Sequence, residues 1–302
     1  MKTIQYPCIK LKESIDQEDY AMIRQLQERC IQEDETALKL ELDYKLGAGR
    51  DGAGGIKEVN EFMYFDGQAL IGYIGICRFG GPWEVNGMVH PDYRRQGVFK
   101  KLSELVLEEW KRRNSDSMLL LCDREAEAGQ RFIAKKQALY AHSEYEMFLR
   151  QDAFPQSQNE TAGITFRKAA NADAKEIARQ NAIYFNGSRS DANEEAEIHV
   201  LPEEEEKRGM PCYLAEKDGE IVGKVNLQMT SQLGAIFGLG VVPEHRRNGY
   251  GRAILLMAIQ KLKEAGAKNV MLQVAAENAN ALNLYKSCGF ETTSTMDYYQ
   301  IQ

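Results

Sequence analysis

Two glycines and two arginines lie between a hydrophobic run and the opening of a predicted helix in the stretch VVPEHRRNGYGRAILL, residues 241–256. The first N–H groups of a helix have no partner inside it, and the helix dipole favours negative charge there. Gly249 and Gly251 allow a tight turn and a close approach of the backbone to a ligand. Positive charge is added by three side chains, those of Arg246, Arg247 and Arg252. This pattern predicts a binding site for a diphosphate.

A glycine-containing turn with solvated arginines is the alternative interpretation of this stretch. Two other phosphate-binding sequences are excluded, because a Walker loop requires GxxxxGK[ST] and a Rossmann turn requires GxGxxG. Neither string occurs around Gly249. The loop therefore belongs to another class of phosphate site.

A second motif, ENANALNLYKSCGF at residues 277–290, follows the loop. Together, RxxGxG and NxxAxxLYxxxGF resemble, in order and spacing, the coenzyme A signature of the GCN5-related N-acetyltransferase (GNAT) superfamily. The matching residues are Arg246, Gly249, Gly251, Asn278, Ala281, Leu284, Tyr285, Gly289 and Phe290. The resemblance is strong over residues 162–302 and weaker over residues 1–150. It implies an N-acetyltransferase with acetyl-CoA as its donor and an amine as its acceptor.

The resemblance also implies roles for individual residues. The strand before the loop, the loop itself and one later position would bind the cofactor: Leu239, Val241, Val242, Arg246, Arg247, Asn248, Gly249, Tyr250, Gly251, Arg252 and Asn278. Tyr285 would protonate the departing CoA thiolate, since a phenol with a reference pKa of about 10 is protonated at neutral pH. Core packing is the alternative role for Tyr285, and helix capping is the alternative role for Asn278.

In this superfamily the strand before the loop splays from its neighbour and leaves a slot for the cofactor. Gly238 and Gly240 fit that expectation, because a glycine inside a strand often marks a bulge or the path of a ligand. The residues between Gly234 and Val242 include no carboxylate. The sequence therefore identifies no general base, and an ordered water is the alternative.

A run of four glutamates, Glu203–Glu206, lies in the region that forms one wall of the acceptor site in this superfamily. A cationic amine would suit these carboxylates, whereas a solvated charged face is the alternative. Tyr184 and His199 are further candidates for a role in binding the substrate.

The loop also occurs 152 residues earlier, as MVHPDYRRQGVFKKLS at residues 88–103. Arg94 and Gly97 match Arg246 and Gly249, so they are predicted to bind the cofactor in a second copy of the site. A constant offset between matching residues indicates two divergent copies of one domain.

The first copy lacks several residues of the second. At the positions of Gly251, Asn278, Tyr285 and Gly289 it has, in that order, Phe99, Ala126, Ile133 and Gln137. We therefore expect a degenerate domain over residues 1–150, a linker over 151–161, and a catalytic domain over 162–302. The first domain either binds coenzyme A or only packs against the second.

The second copy is predicted to run strand, helices, strands, helix, strand, helix, strand. The strands are predicted at 164–169, 212–217, 220–229, 236–242, 269–275 and 294–301, and the helices at 173–185, 251–266 and 278–288. Asp218-Gly219 and Asp66-Gly67 are predicted hairpin turns. The predicted class is α/β, with two tandem GNAT-like domains, each a mixed, largely antiparallel twisted sheet flanked by helices.

Composition restricts the partners of the protein. The chain has 302 residues and a formal net charge of −7, which argues against nucleic acids and anionic membranes. It has no apolar run of about 18 residues, and its cysteines and histidines lack metal-ligand spacing. We expect a cytoplasmic monomer or homodimer that uses acetyl-CoA without a metal and acts on a small-molecule amine, with a protein amino group as the alternative acceptor. The alternative is a non-catalytic module that binds coenzyme A or regulates another protein.

Overall fold

The computed structural model describes residues 1–47, 57–78, 81–115, 117–152, 163–185, 200–230 and 232–301. The chain forms two compact units, the first made of Met1–Glu144 with Ser294–Gln302 and the second of Tyr145–Thr293. Each unit combines a mixed sheet with flanking helices, which confirms the predicted α/β class. The boundaries predicted for the two domains and their linker stay a prediction.

The first unit contains helices on both faces of its sheet. Its strands are β1 (Pro7–Lys12), β2 (Glu61–Asp66), β3 (Ala69–Cys77), β4 (Trp83–Val89), β5 (Met118–Asp123) and the start of β6 (Leu139–Leu149). Its helices are α1 (Gln17–Asp34), α2 (Leu42–Gly47), α3 (Val98–Arg112) and α4 (Glu127–Lys136). Strands β1 to β5 follow one another in the sheet, and only β4 and β5 are parallel.

The second unit repeats this plan. Its strands are β7 (Thr165–Lys168), β8 (Cys212–Lys217), β9 (Glu220–Thr230), β10 (Leu233–Val241), β11 (Asn269–Ala275) and the start of β12 (Phe290–Gln300). Its helices are α5 (Ala174–Phe185), α6 (Pro202–Lys207), α7 (Tyr250–Glu264) and α8 (Ala279–Ser287). Strands β7 to β11 are neighbours in sequence order, and β10 with β11 is the parallel pair. Helix α7 packs on one face through a cluster that includes Ile259 and Val225. Ile177 of α5 and Leu214 share a cluster on the other face.

The final strand contributes to both units. Its first residues, up to Thr293, belong to the second unit, and Met296–Gln300 pairs antiparallel with β5 in the first. Within the first unit, the Arg124 guanidinium donates to the Asp297 carboxylate at 2.7 Å. The C-terminal strand therefore completes the sheet of the N-terminal unit.

The two predicted hairpin turns differ in outcome. Asp218 and Gly219 both adopt positive φ, and Lys217 pairs with Glu220, so the predicted two-residue turn is confirmed. In the first unit Asp66 pairs with Ala69, so the two-residue loop is 67–68 and the prediction was wrong by one residue. Asp66 stays in the strand, where its carboxylate accepts hydrogen bonds from the backbone N–H groups of residues 5 and 6.

Candidate functional site

Strands β10 and β11 separate halfway along their length. Their parallel pairing covers Leu233–Ile236 and Asn269–Leu272, after which both strands continue without pairing to each other. Beyond these paired residues, the backbone N–H and C=O groups on the facing edges make no hydrogen bonds from one strand to the other. An extended molecule could use these groups as hydrogen-bond partners.

A bulge lies in β10 at the point where the strands separate. Its register with β9 shifts between Phe237 and Gly240, so Gly238 and Leu239 together oppose a single residue, Val225. Gly238 has φ +56°, in the region that favours glycine. A Cβ on Gly240 would collide with the ring of Tyr184, which covers the strand there. The bulge expected from these glycines is confirmed.

The loop after β10 leads directly into α7. Gly249 occupies the N-cap with φ +80° and no side chain caps the helix, so the first N–H groups of α7 have no side-chain acceptor. Arg246 Nε donates to the Val241 carbonyl at 3.0 Å, and Arg247 has φ +66°. Among the described residues, no carboxylate lies within 4.0 Å of the Arg246 guanidinium. The loop thus joins a helix start without a side-chain cap to positive charge, as an anion site requires.

The other predicted loop residues have structural partners. The Asn248 amide donates to the His245 carbonyl at 3.2 Å, and the N–H of buried Val242 donates to Val222. Half-buried Tyr250 packs against the core of the second unit. Helix α8 contacts the start of α7 on two sides: a Cβ on Gly251 would lie 3.4 Å from Leu284, and Arg252 is 3.3 Å from the Cys288 sulfur.

Tyr285 lies in α8 with 7% of its surface exposed, in the same core cluster as Phe290. Burial raises the pKa of its phenol to about 12, so the hydroxyl keeps its proton at any physiological pH. Core packing of Tyr285 is therefore observed, and its catalytic role stays a prediction. The Asn278 side chain accepts from the Ala281 N–H at 3.1 Å, so capping is its observed role.

The four glutamates of α6 have different surroundings. Glu203 bonds to Asn171 at 3.0 Å and Glu206 to Lys168 at 2.5 Å, both on the surface. Glu205 is half-buried and faces β9, where Asn226 donates to it at 3.4 Å. Burial raises the pKa of Glu205. His199 lies outside the described residues.

Sequence reasoning missed a buried lysine beside the bulge. Lys224 in β9 is 2% exposed, and its Nζ donates to Asn226 Oδ1 at 3.1 Å and to the Gly238 carbonyl at 3.3 Å. Burial lowers the pKa of this amine. The sequence did contain a signal for this residue, namely a lysine inside the hydrophobic strand EIVGKVNLQM. The alternation of side chains along a strand does not decide whether such a lysine faces solvent or a polar partner.

The loop of the first unit has nearly the same backbone. Arg95 has φ +65° and Gly97 has φ +82°, and Arg94 Nε donates to the Val89 carbonyl at 3.1 Å. Here, however, the Arg94 guanidinium forms two hydrogen bonds with the Asp34 carboxylate, at 2.7 and 2.6 Å. The first loop therefore has less free positive charge than the second.

The first unit also contains an open cavity of about 1000 Å³. It lies between the ends of β4 and β5, whose parallel pairing stops at Val85 and Leu120, and the starts of α3 and α4. Asn86, 7% exposed, lines it, and its Nδ2 has no hydrogen-bond partner among the described residues. Ile133 replaces the tyrosine at this cavity, and β4 pairs with β3 without a bulge.

Two loops of matching geometry, each at the start of a helix beside a splayed parallel pair, indicate a duplicated site. The acetyltransferase (GNAT) family model matches residues 20–138 and again residues 175–290. The chain belongs to the acetyltransferase (GNAT) family. It is a tandem GNAT protein and an N-acetyltransferase, as the sequence predicted.

Curated relatives of this GNAT protein are acetyltransferases. A mycothiol acetyltransferase of Acidothermus cellulolyticus is 28% identical over 229 residues, which cover 69% of this chain and 68% of the relative. An N-alpha-acetyltransferase of Sulfurisphaera tokodaii is 33% identical over 100 residues, 29% of this chain and 60% of the relative. The [ribosomal protein bS18]-alanine N-acetyltransferase of Escherichia coli is 34% identical over 84 residues, 28% of this chain and 57% of the relative. Two of these three alignments span less than two thirds of the relative.

Solved GNAT structures share the fold along the whole chain. A tandem GNAT protein from the clavulanic acid biosynthesis pathway has a TM-score of 0.69 and 15% identity, covering 97% of this chain and 98% of that one. A GNAT from Sphaerobacter thermophilus has a TM-score of 0.68 and 17% identity, covering 97% and 95%. In the described ranges, no group of three His, Cys, Asp or Glu residues could hold a metal ion, and no helix is long and apolar enough to cross a membrane.

Proposed function

We propose that this GNAT protein transfers the acetyl group of acetyl-CoA to a primary amine of a small molecule, with the chemistry in the second unit. The observation that carries this proposal is the combination found in that unit. A bulged, splayed strand at Gly238, an uncapped helix start at Gly249 and the phenol of Tyr285 occur together there. The first unit has an unbulged β4 and Ile133 instead.

Each part of this combination has a role in the proposed reaction. The N–H groups of α7 and the Arg246 guanidinium bind the diphosphate, and the edge of β10 binds the pantetheine arm. The acceptor amine attacks the thioester carbon, and the tetrahedral intermediate expels the CoA sulfur. Tyr285 supplies the proton that makes the sulfur a better leaving group.

A small-molecule acceptor is favoured by the extent of the similarity. The mycothiol acetyltransferase of Acidothermus aligns over 229 residues, whereas the ribosomal-protein acetyltransferase aligns over 84. Half-buried Glu205 beside β9 supports a cationic amine as the acceptor, because a carboxylate attracts an ammonium group strongly where water is partly excluded.

We further propose that the first unit binds coenzyme A without turning it over. Three features support binding: the cavity, the uncapped start of α3 at Gly97, and Asn86 Nδ2, which has no hydrogen-bond partner among the described residues. Phe99 and Ile133, at the positions of Gly251 and Tyr285, argue against catalysis there. In this arrangement the chain has two CoA sites and one reaction centre.

Release of free thiol from acetyl-CoA, measured with a panel of small amines and peptides, tests the proposal. We expect amine-dependent thiol release that is saturable in one class of small amine. Tight acetyl-CoA binding with no thiol release in the presence of any acceptor would favour the non-catalytic module instead.

A further inference from the structure

Lys224 is a buried amine at the centre of the second unit that no step of the proposed reaction uses. A Cβ on Gly238 would lie 3.0 Å from its Nζ and 3.2 Å from Asn226 Oδ1, so the amine lies directly against the bulge of β10. That bulge is where the splayed edge begins, and the proposed function lays the pantetheine arm along this edge, which puts the acyl group at the end of the arm beside the bulge. Lys224 is therefore close to the atoms that would react.

The hydrogen-bond partners of Lys224 fit a neutral amine. A lysine ammonium has three donors and no acceptor, whereas a neutral amine has two N–H donors and one lone pair. Among the described residues, two acceptors lie within hydrogen-bond distance, Asn226 Oδ1 and the Gly238 carbonyl. A neutral Lys224 uses both donors on these oxygens and keeps its lone pair free to accept a proton.

The first unit provides a contrast, because its buried lysine has a carboxylate partner. Lys45 Nζ lies 2.9 Å from both Glu61 carboxylate oxygens and 3.1 Å from the Tyr73 hydroxyl. An ammonium is stabilised by such a pair. Among the described residues, Lys224 has only neutral oxygens at that distance, so its charged form has no comparable partner there.

In the described part of the chain, charged and titratable groups around Lys224 come from three elements. Glu205 of α6 accepts a hydrogen bond from Asn226 and also attracts the Lys224 amine by its charge, and Cys212 of β8 lies on the same face of the sheet. The phenol of Tyr184 on α5 lies over Gly240, the residue paired with Lys224. Burial opposes the charged amine more strongly than Glu205 and Cys212 favour it, so the pKa of Lys224 is lowered.

We propose that Lys224 is the general base of the second unit and takes one proton from the acceptor ammonium. The inference rests on the proposed function. The ammonium R–NH₃⁺ transfers a proton to the Lys224 lone pair, and the resulting amine attacks the acetyl carbon. Tyr285 gives its proton to the sulfur, which leaves as a thiol, and the second N–H proton of the intermediate restores the Tyr285 phenol as the amide forms. Lys224 then returns its proton to water, so one proton is released per acetyl group transferred.

The titration of Lys224 is measured first, and it needs no turnover. Protein labelled with ¹³C and ¹⁵N at lysine is titrated by NMR through the Cε and Nζ signals, and Lys224→Met identifies the Lys224 signal. We expect this signal to titrate well below the exposed lysines in the same spectrum. Titration together with the exposed lysines would overturn the proposal, whether or not the protein is active.

The second measurement is the dependence of turnover on pH for Lys224→Met, with Lys268→Met as the exposed control in the same unit. With an alkylamine acceptor we expect kcat/KM of Lys224→Met to fall about 10²–10⁴-fold near neutral pH, the usual effect of losing a general base. The deficit should shrink as the pH approaches the pKa of the acceptor, where the free amine needs no base. It should also shrink with an aromatic amine or hydrazide that is already neutral.

Together, the NMR titration and the dependence of turnover on pH and acceptor distinguish a general base at position 224 from a residue that only supports the structure. A deficit that is constant across pH and acceptors, with the parent active, would mean that Lys224 only supports the bulge. A parent protein that transfers acetyl to no amine would instead refute the proposed function, and the NMR titration would still test the neutral amine. Lys268→Met should match the parent throughout.

Discussion

Substituting glutamate for Gly249 tests the diphosphate site directly. Gly249 has φ +80°, and a Cβ at this position meets no atom within 4 Å, so the new side chain has space but a strained backbone. That strain costs roughly 1–2 kcal/mol for a non-glycine residue. Gly97 in the first unit has φ +82° and the same open surroundings, so Gly97→Glu has a matched backbone cost.

The charge effect is larger than the strain. Two unit charges about 4 Å apart near a protein surface repel by about 4 kcal/mol, which corresponds to about 10³-fold in Kd. We expect Gly249→Glu to abolish measurable acetyl-CoA binding at the second unit and to remove nearly all turnover. Gly97→Glu should leave most turnover intact. Gly249→Gln shares the strain without the charge and should bind more tightly than Gly249→Glu.

Calorimetry with acetyl-CoA gives affinity and stoichiometry for the parent and the three variants. Thermal unfolding must first show cooperative transitions near the parent's midpoint, so that lost binding is not lost folding. Unchanged affinity in Gly249→Glu would refute the assignment of the loop. Loss of turnover in Gly97→Glu, with Gly249→Glu active, would mean that the first unit carries the chemistry.

Three other predictions concern single side chains. Tyr285→Phe should lower kcat about 10²–10⁴-fold with little change in acetyl-CoA affinity; a change in stability alone would assign Tyr285 to the core. Asn86→Leu should remove one CoA site by calorimetry while turnover persists, and a parent with one site would contradict it. Burial acts to raise the pKa of Glu109, but hydrogen bonds from Arg112, the Val59 N–H and Arg113 outweigh it and bring the pKa to about 2. Because this pKa is lowered, Glu109 should stabilise the fold above about pH 4.5 and lose that effect as the pH falls towards 2, and Glu109→Gln should flatten acid unfolding in this window.

Local sequence was enough to predict the loop and the bulge. A glycine is required at Gly249 because its φ is positive, and Gly240 is required because Tyr184 lies over it. The constraint at Gly249 acts in the local backbone, whereas the constraint at Gly240 comes from Tyr184, 56 residues earlier, and is visible in the sequence only as the glycine itself. The order of strands and helices was also predictable, since alternation and helical periodicity are local.

Tertiary packing decided what the sequence left open. Four adjacent glutamates look equivalent in the sequence, yet only Glu205 is hydrogen-bonded to β9, because the short helix α6 directs its neighbours to the surface. The same holds for Lys224, because its position at the bulge is defined by a hydrogen bond to the carbonyl of Gly238, fourteen residues further along the chain. Neither contact follows from spacing along the chain.

Residues of the first loop that differ from those of the second loop are accommodated by contacts within the first unit. Phe99, at the position of Gly251, packs edge-to-face on Phe132 with ring centroids 4.8 Å apart, and Phe132 is the counterpart of Leu284. Both positions differ from their counterparts in the second unit, and the pair keeps the contact between α3 and α4 while placing an aromatic ring at the cavity. Gln137 likewise adopts φ +55° where Gly289 has φ +91°. The copy therefore kept the backbone of a binding loop while its side chains changed, as expected if it was selected to fold and bind rather than to catalyse.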